Sequence, residues 1–122
     1  MKMTVCKRTS FDAAHYLPNY PGKCANMHGH HWEVELGVSG EVDSETGMVV
    51  DFVRLSDFLK EKVVDRFDHT LVNDVIENPT AENIAGRIKL SWDLWRDENC
   101  LAVELNFIRV WETPDSYAEL RA

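Results

Sequence analysis

Long apolar runs are missing from this chain: none approaches the roughly 20 consecutive apolar residues that a bilayer-crossing helix takes. Positive charge is scarce, with 13 Lys and Arg against 21 Asp and Glu and a formal net charge of −8. That balance argues against a nucleic-acid-binding surface, which needs clustered cations for phosphates, though a small anionic ligand needs only a few local ones. Cysteine is also sparse. Cys6, Cys24 and Cys100 are an odd number at unrelated spacings, so no disulfide framework is implied. There is no repeat, no low-complexity tract and no linker, and the first residues lack the apolar stretch of a leader peptide. With 122 residues, 44% of them hydrophobic and 28% charged, the expectation is one globular domain over 1–122 in a reducing cytoplasm.

Histidine is what the chain does carry. His15 closes Phe11-Asp12-Ala13-Ala14-His15, and His28 and His30 flank a glycine four residues after Cys24. Side chains alternate along a strand, so a His-x-His pair at a strand start puts both imidazoles on one face. With His15 they would make three nitrogen ligands, the pattern of a catalytic zinc with one position open. Cys24 then reads two ways: a base or nucleophile beside the metal, or the fourth ligand of a closed structural site. His31 and His69, taken singly, read as ordinary surface or core residues.

The rest of the chain gives the frame. Met3 to His15 reads as extended chain interrupted near Lys7 to Ser10, and residues 17–27, with two prolines and a glycine, as loop. Trp32, Val34, Leu36 and Val38 alternate with polar neighbours and glycine as a half-buried strand, in phase with His28 and His30. A short extended piece is expected at 48–50. Asp51 can cap a helix striped by Leu55, Phe58, Leu59 and Val63. Thr80 can cap a second, striped by Ile84, Ala85, Ile88, Trp92 and Trp95. Leu101, Val103, Leu105 and Phe107 predict a strand running on to Glu112, with a short last strand over 117–121. The order ββααββ predicts an α+β fold, a four-stranded antiparallel sheet with two helices on one face. Its other face would need cover for residues such as Trp32 and Ile108, which makes an oligomer the expectation.

Six motifs then coincide in order: Phe11-Asp12-Ala13-Ala14-His15; Cys24 with His28-Gly29-His30; Gly47-Met48-Val49-Val50-Asp51-Phe52; Asp68-His69-Thr70-Leu71-Val72-Asn73-Asp74; Pro79-Thr80-Ala81-Glu82-Asn83; and Val110-Trp111-Glu112-Thr113. Together they resemble the 6-pyruvoyl-tetrahydropterin synthase family over nearly the whole chain. The three-residue gap between Cys24 and His28 is similar to that of bacterial members making 6-carboxy-5,6,7,8-tetrahydropterin. Phe67 and Ala81 depart from the usual family residues. The resemblance implies the tunnelling fold (T-fold), a homohexamer built as a dimer of trimers, and sites between subunits. It implies zinc on His15, His28 and His30, Cys24 as the base for a carbon-bound proton, Asp68 and His69 as a proton relay, and Glu112 as the pterin anchor. Thr80 and Glu82 would also touch the pterin, and the triphosphate contacts stay open among Lys23, Arg8 and Arg54. The implied reaction turns 7,8-dihydroneopterin triphosphate into 6-carboxy-5,6,7,8-tetrahydropterin, acetaldehyde and triphosphate, on the queuosine route. The rivals are the pyruvoyl-forming reaction, without carbon loss, and a non-catalytic zinc- or pterin-binding protein.

Overall fold

The computed structural model describes all 122 residues. Strand β1 (Lys2–His15) pairs antiparallel with β2 (His28–Glu41), β2 with β3 (Glu104–Thr113) and β3 with β4 (Ser116–Arg121), giving the sheet order β1-β2-β3-β4. Between β2 and β3 run two helical segments. The first, α1, is α-helical over Phe52–Leu59, widens into a π turn over Lys60–Val64 and closes over Asp65–Phe67; the second, α2, spans Ala81–Glu98. Both expected caps form: Asp51 accepts from the Val53 amide at 2.9 Å, and Thr80 from the Asn83 amide at 3.1 Å. Each side chain thus satisfies a backbone donor that the first helical turn leaves free.

The helices cover one face of the sheet. Phe11 and Ala13 from β1, Trp32, Val34, Leu36 and Val38 from β2, and Ile108 and Val110 from β3 are buried with Leu55, Phe58, Ile84, Ile88 and Trp92. Burying a side chain of this size is worth roughly 1.5–3 kcal/mol, so this shared layer sets which face of each strand turns inward.

Expectations need correction on three counts: the continuity of β1, the bounds of extended chain elsewhere, and the cover of the sheet. β1 is continuous through Lys7 to Ser10, because its register with β2 runs unbroken from Lys2↔Glu41 to His15↔His28. Residues 48–50 form no strand, with bends at Val49 and Val50, and β3 begins at Glu104, not Leu101. A shift in the β2–β3 register passes from Leu105↔Val38 to Phe107↔Gly37. The extra residue there, Asn106, reverses the alternation, so Phe107 leaves the core phase of Val103 and Leu105. Third, Trp32 and Ile108 do not need a partner to cover them. Both are fully buried beneath the helices, and the open face carries Arg8, Glu33, Glu35, Arg109, Trp111, Tyr117 and Glu119 instead.

Those open-face residues pair with one another. Arg8 contacts Glu33 at 2.6 Å and Glu35 at 3.4 Å, and Arg109 reaches Glu35 at 3.1 Å and also Glu119. Gly37 is required here by close approach. A Cβ at that position would stand 2.3 Å from the Phe107 ring, on which the Arg109 guanidinium lies, 4.4 Å from the ring centre.

Candidate functional site

His15 ends β1 and His28 opens β2, directly across the ladder from each other, while His30 sits opposite Ala13. All three rings turn to the same face, as the alternation predicts, and their ligating nitrogens lie within 4.8 Å of one another. Trp32, next in phase, forms the floor, with its ring centre 4.9 Å from that of His15 and 5.5 Å from that of His30. The Trp32 indole donates to the Ala13 carbonyl at 3.2 Å, which fixes that floor to β1.

Backbone carbonyls set the proton positions. His15 Nδ1 is 2.8 Å from the Pro79 carbonyl and His28 Nδ1 is 2.7 Å from the Asn26 carbonyl. A carbonyl oxygen only accepts, so both Nδ1 atoms carry the hydrogen, and in the neutral ring Nε2 is then a bare lone pair. Yet His15 Nε2 and His28 Nε2 face each other at 3.1 Å. His30 Nε2 is buried without a hydrogen-bond partner, its neighbour Glu112 Oε1 being 3.6 Å away. Two facing acceptors beside a third unpartnered ring nitrogen fit a cation, and carbonyls on the far nitrogens of histidines are the usual support of a metal site.

The protonation chemistry agrees. Burial, the largest cause, holds His15 and His30 below the ordinary imidazole value; the Pro79 carbonyl and Glu112 push His15 back up, and Glu112 does the same for His30. Neutral imidazoles are the form that ligates metal. Three imidazole ligands suit zinc with a position left for water or substrate.

Cys24 lies in a short 3-10 turn (Lys23–Ala25) on the loop joining the two histidine-bearing strand ends. Its carbonyl accepts from the Leu17 amide at 2.7 Å, two residues before the Asn26 carbonyl that holds His28. The thiol is free, partly buried and outside the 4.8 Å histidine cluster. This separation disfavours the closed four-ligand reading and leaves Cys24 as a neighbour of the site.

Asp68 and His69 follow α1 and lie along the edge of β1, where His69 shares a cleft of about 520 Å³ with Asp12, His30 and His31. Asp68 Oδ1 accepts from the Asp12 amide at 3.0 Å and stands 4.0 Å from His69 Nε2, beyond hydrogen-bond reach. His69 donates its own amide to the Asp12 carbonyl at 2.7 Å and has φ 58°, a left-handed conformation rare for a residue with a side chain. Asp12 is therefore a hub that sequence reasoning missed, although the register that pairs it with His31 places its carboxylate 2.8 Å from His31 Nδ1.

Glu112 lies between two clefts. One, about 380 Å³, is lined by Arg8, His30, His31, Glu33, Trp111 and Glu112 among others; the second, about 440 Å³, by Ala81, Glu82, Glu112, Tyr117 and Glu119 among others. The structure thus gathers Glu112 with His30 on one side and with Glu82 on the other. Thr80 is occupied as the α2 cap and adjoins Pro79, whose carbonyl holds His15. Of the candidate cations, Arg8 lines the Glu112 cleft but is already paired with Glu33, and Arg54 lies at a separate surface with Asn99. The carbonyls of Asn26 and Pro79 and the Trp32 floor were also missed. Backbone oxygens leave no residue-type signal, and Pro79 is 64 positions from His15.

Comparison with known proteins places this arrangement. A family model described as 6-pyruvoyl tetrahydropterin synthase matches residues 4–122. A protein of Archaeoglobus fulgidus, provisionally named 6-carboxy-5,6,7,8-tetrahydropterin synthase, is 42% identical, covering 98% of this chain and 96% of its own. A Synechocystis protein named 6-carboxy-5,6,7,8-tetrahydropterin synthase is 37% identical over 93% of this chain and 89% of its own. A Pyrococcus furiosus protein named dihydroneopterin monophosphate aldolase is 34% identical over 98% of both chains. Among solved structures, 6-pyruvoyl tetrahydropterin synthase of Caenorhabditis elegans superposes with a TM-score of 0.86 at 26% identity, covering 100% of this chain and 96% of its own.

Proposed function

The chain belongs to the 6-pyruvoyl tetrahydropterin synthase family, and on that premise we propose that it is a zinc-dependent 6-carboxy-5,6,7,8-tetrahydropterin synthase. In this reading it converts 7,8-dihydroneopterin triphosphate into 6-carboxy-5,6,7,8-tetrahydropterin, acetaldehyde and triphosphate, on the queuosine route. The observation that carries the reading is the convergence of His15, His28 and His30 beside Glu112, with His15 and His28 Nε2 facing each other and His30 Nε2 unpartnered. The relatives from Archaeoglobus and Synechocystis support the choice of product.

His15, His28 and His30 would hold the zinc, which when bound supplies a Lewis acid that polarises the side-chain hydroxyls of the substrate. Glu112 accepts two hydrogen bonds from the amino-pyrimidine edge of the pterin, a charge-assisted pair that fixes the ring in its plane. Glu82 and Thr80 border the same ring. Cys24, on the hairpin loop, takes the carbon-bound proton of the side chain, and Asp68 and His69 pass protons to and from substrate oxygens. That relay requires the 4.0 Å gap between Asp68 and His69 to close when substrate is bound, as catalytic hydrogen bonds often do. A homohexamer with sites at subunit interfaces is part of the proposal. It is supported by β1 and β4, each paired along one edge only.

One observation favours a second reading, cleavage of a dihydroneopterin phosphate by an aldolase: the full-length likeness to the Pyrococcus protein. The products separate the possibilities. Incubation of the zinc-loaded protein with dihydroneopterin triphosphate is expected to yield the 6-carboxy pterin and acetaldehyde. An aldol cleavage leaves a hydroxymethyl group on the ring instead, and the pyruvoyl reaction keeps all three side-chain carbons. No turnover of either dihydroneopterin phosphate by the zinc-loaded protein would refute an enzymatic role and leave only binding.

A further inference from the structure

We propose that Tyr117 is the residue on which the flat face of the ligand's ring stacks while Glu112 holds its edge. The inference rests on the pterin reading of the Glu112 cleft and adds a contact to it. A carboxylate bonding in the plane of a heteroaromatic ring leaves both ring faces bare, so a ring seated there needs an apolar platform beside the carboxylate. Tyr117 lines the same cleft of about 440 Å³ as Glu112 and Glu82. The residue is 49% exposed. The other lining residues next to it, Ala81, Ser116 and Ala118, are small.

The backbone explains how an open-face tyrosine and Glu112 come to share a cleft. The β3–β4 register runs from Trp111↔Tyr117 to Thr113↔Ser116, so Glu112 is the extra residue of a bulge. Alternation from Val110 turns Glu112 towards His30, and the bulge leaves it without a register partner on β4, between the partners of Tyr117 and Ser116. Glu112 therefore joins both the histidine-side cleft and the Tyr117 cleft.

Tyr117 is also held still. Its ring packs on that of Trp111, with centroids 4.3 Å apart at 41°. The Trp111 indole donates to Glu35 at 3.1 Å, and the nearly buried Glu35 is gripped by Arg109 and Arg8. The Arg109 guanidinium lies 5.6 Å from the Tyr117 ring centre. A stiff aromatic fixed in this way contributes stacking with little ordering cost. In this arrangement Glu35 and Trp111 are positioning residues, and Tyr117 touches the ligand.

The test is fluorescence titration of the zinc-loaded full chain with neopterin, which carries the ring and side chain but no phosphate. Tyr117→Leu and Tyr117→Thr are expected to weaken neopterin binding roughly ten-fold, the scale of aromatic stacking on a base, and Tyr117→Phe to stay within about two-fold of the parent. Zinc content and melting temperature should not move in the Leu and Thr variants, which separates lost stacking from lost structure; two replacements guard against one that fails to fold. Parent-like neopterin binding by Tyr117→Leu and Tyr117→Thr, with Glu112→Gln weakened, overturns the stacking role alone. Parent-like binding by Glu112→Gln as well, or no binding by the parent, overturns the pterin reading together with it.

Discussion

Two clusters meet at the end of the β1–β2 hairpin, and each brings three potential metal-ligating groups within 4.8 Å: His15, His28 and His30 in one, Asp12, Asp68 and His69 in the other. The first is built for a fixed geometry. Its rings stand on buried Trp32, two of them are oriented by backbone carbonyls, and no protein donor answers the nitrogens that converge. The second spends its polar atoms on the chain itself, with Asp68 on the Asp12 amide and the Asp12 carboxylate on His31. The His69 side chain is 78% exposed. A rigid cradle of imidazole nitrogens suits an ion that must stay. A solvated carboxylate and imidazole that do not yet touch suit groups that move protons when substrate arrives.

The sharpest way to break that division is Cys24, which belongs to neither cluster. Cys24→Ala is expected to keep its metal and its fold and to lose turnover by roughly 100-fold or more, the range of a lost general base. Elemental analysis beside a rate measurement checks this, and zinc lost with the thiol would turn the cradle into a closed structural site. Next in size is Glu112→Gln. It puts an amide donor against a ring donor and costs about 2–3 kcal/mol, or roughly 30- to 150-fold in affinity for dihydroneopterin triphosphate. Substrate titration equal to the parent's would return Glu112 to a strand-end charge.

A smaller effect is expected on the exposed side. Asp68→Asn keeps an acceptor for the Asp12 amide and removes the charge, so melting should hardly change while turnover falls about ten-fold, within the modest end of acid–base effects. Unchanged turnover would reduce Asp68 to a tether for Asp12. The smallest effect is on stability. Burial depresses the titration of His15 and His30, so below pH 6.5, their ordinary value, the unfolded chain binds more protons than the folded one. Stability of the metal-free protein should therefore fall as pH drops from 6.5 through the depressed folded-state values, and be restored as pH rises. Chemical denaturation across pH 7 to 5 measures it, and His15→Ala should flatten part of the slope.

The sequence and the structure diverge where long-range pairing decides. Parity alone placed His28 and His30 on one side of β2, because strand alternation is local. Capping by Asp51 and Thr80 was equally legible, since each cap answers amides two or three residues away. The face covered by the helices was not legible. Trp32 and Ile108 look like residues waiting for a partner until α1 and α2 are laid over them. Bulges hid a reversal at Asn106 and the unpaired position of Glu112 against β4, because an extra residue in one strand is defined only against its neighbour. Asp12 and the Pro79 carbonyl were invisible for the same reason: their partners lie across the fold, and one of them acts through its backbone.

Metal stoichiometry tests the central claim most directly. The full chain would be stripped with a chelator, dialysed against zinc and analysed for metal beside His15→Ala, His28→Ala and His30→Ala, with circular dichroism to establish that each variant folds. The account predicts close to one zinc per chain in the parent and little in any folded variant. A parent that binds no zinc, or three folded variants that each keep a full equivalent, would contradict it.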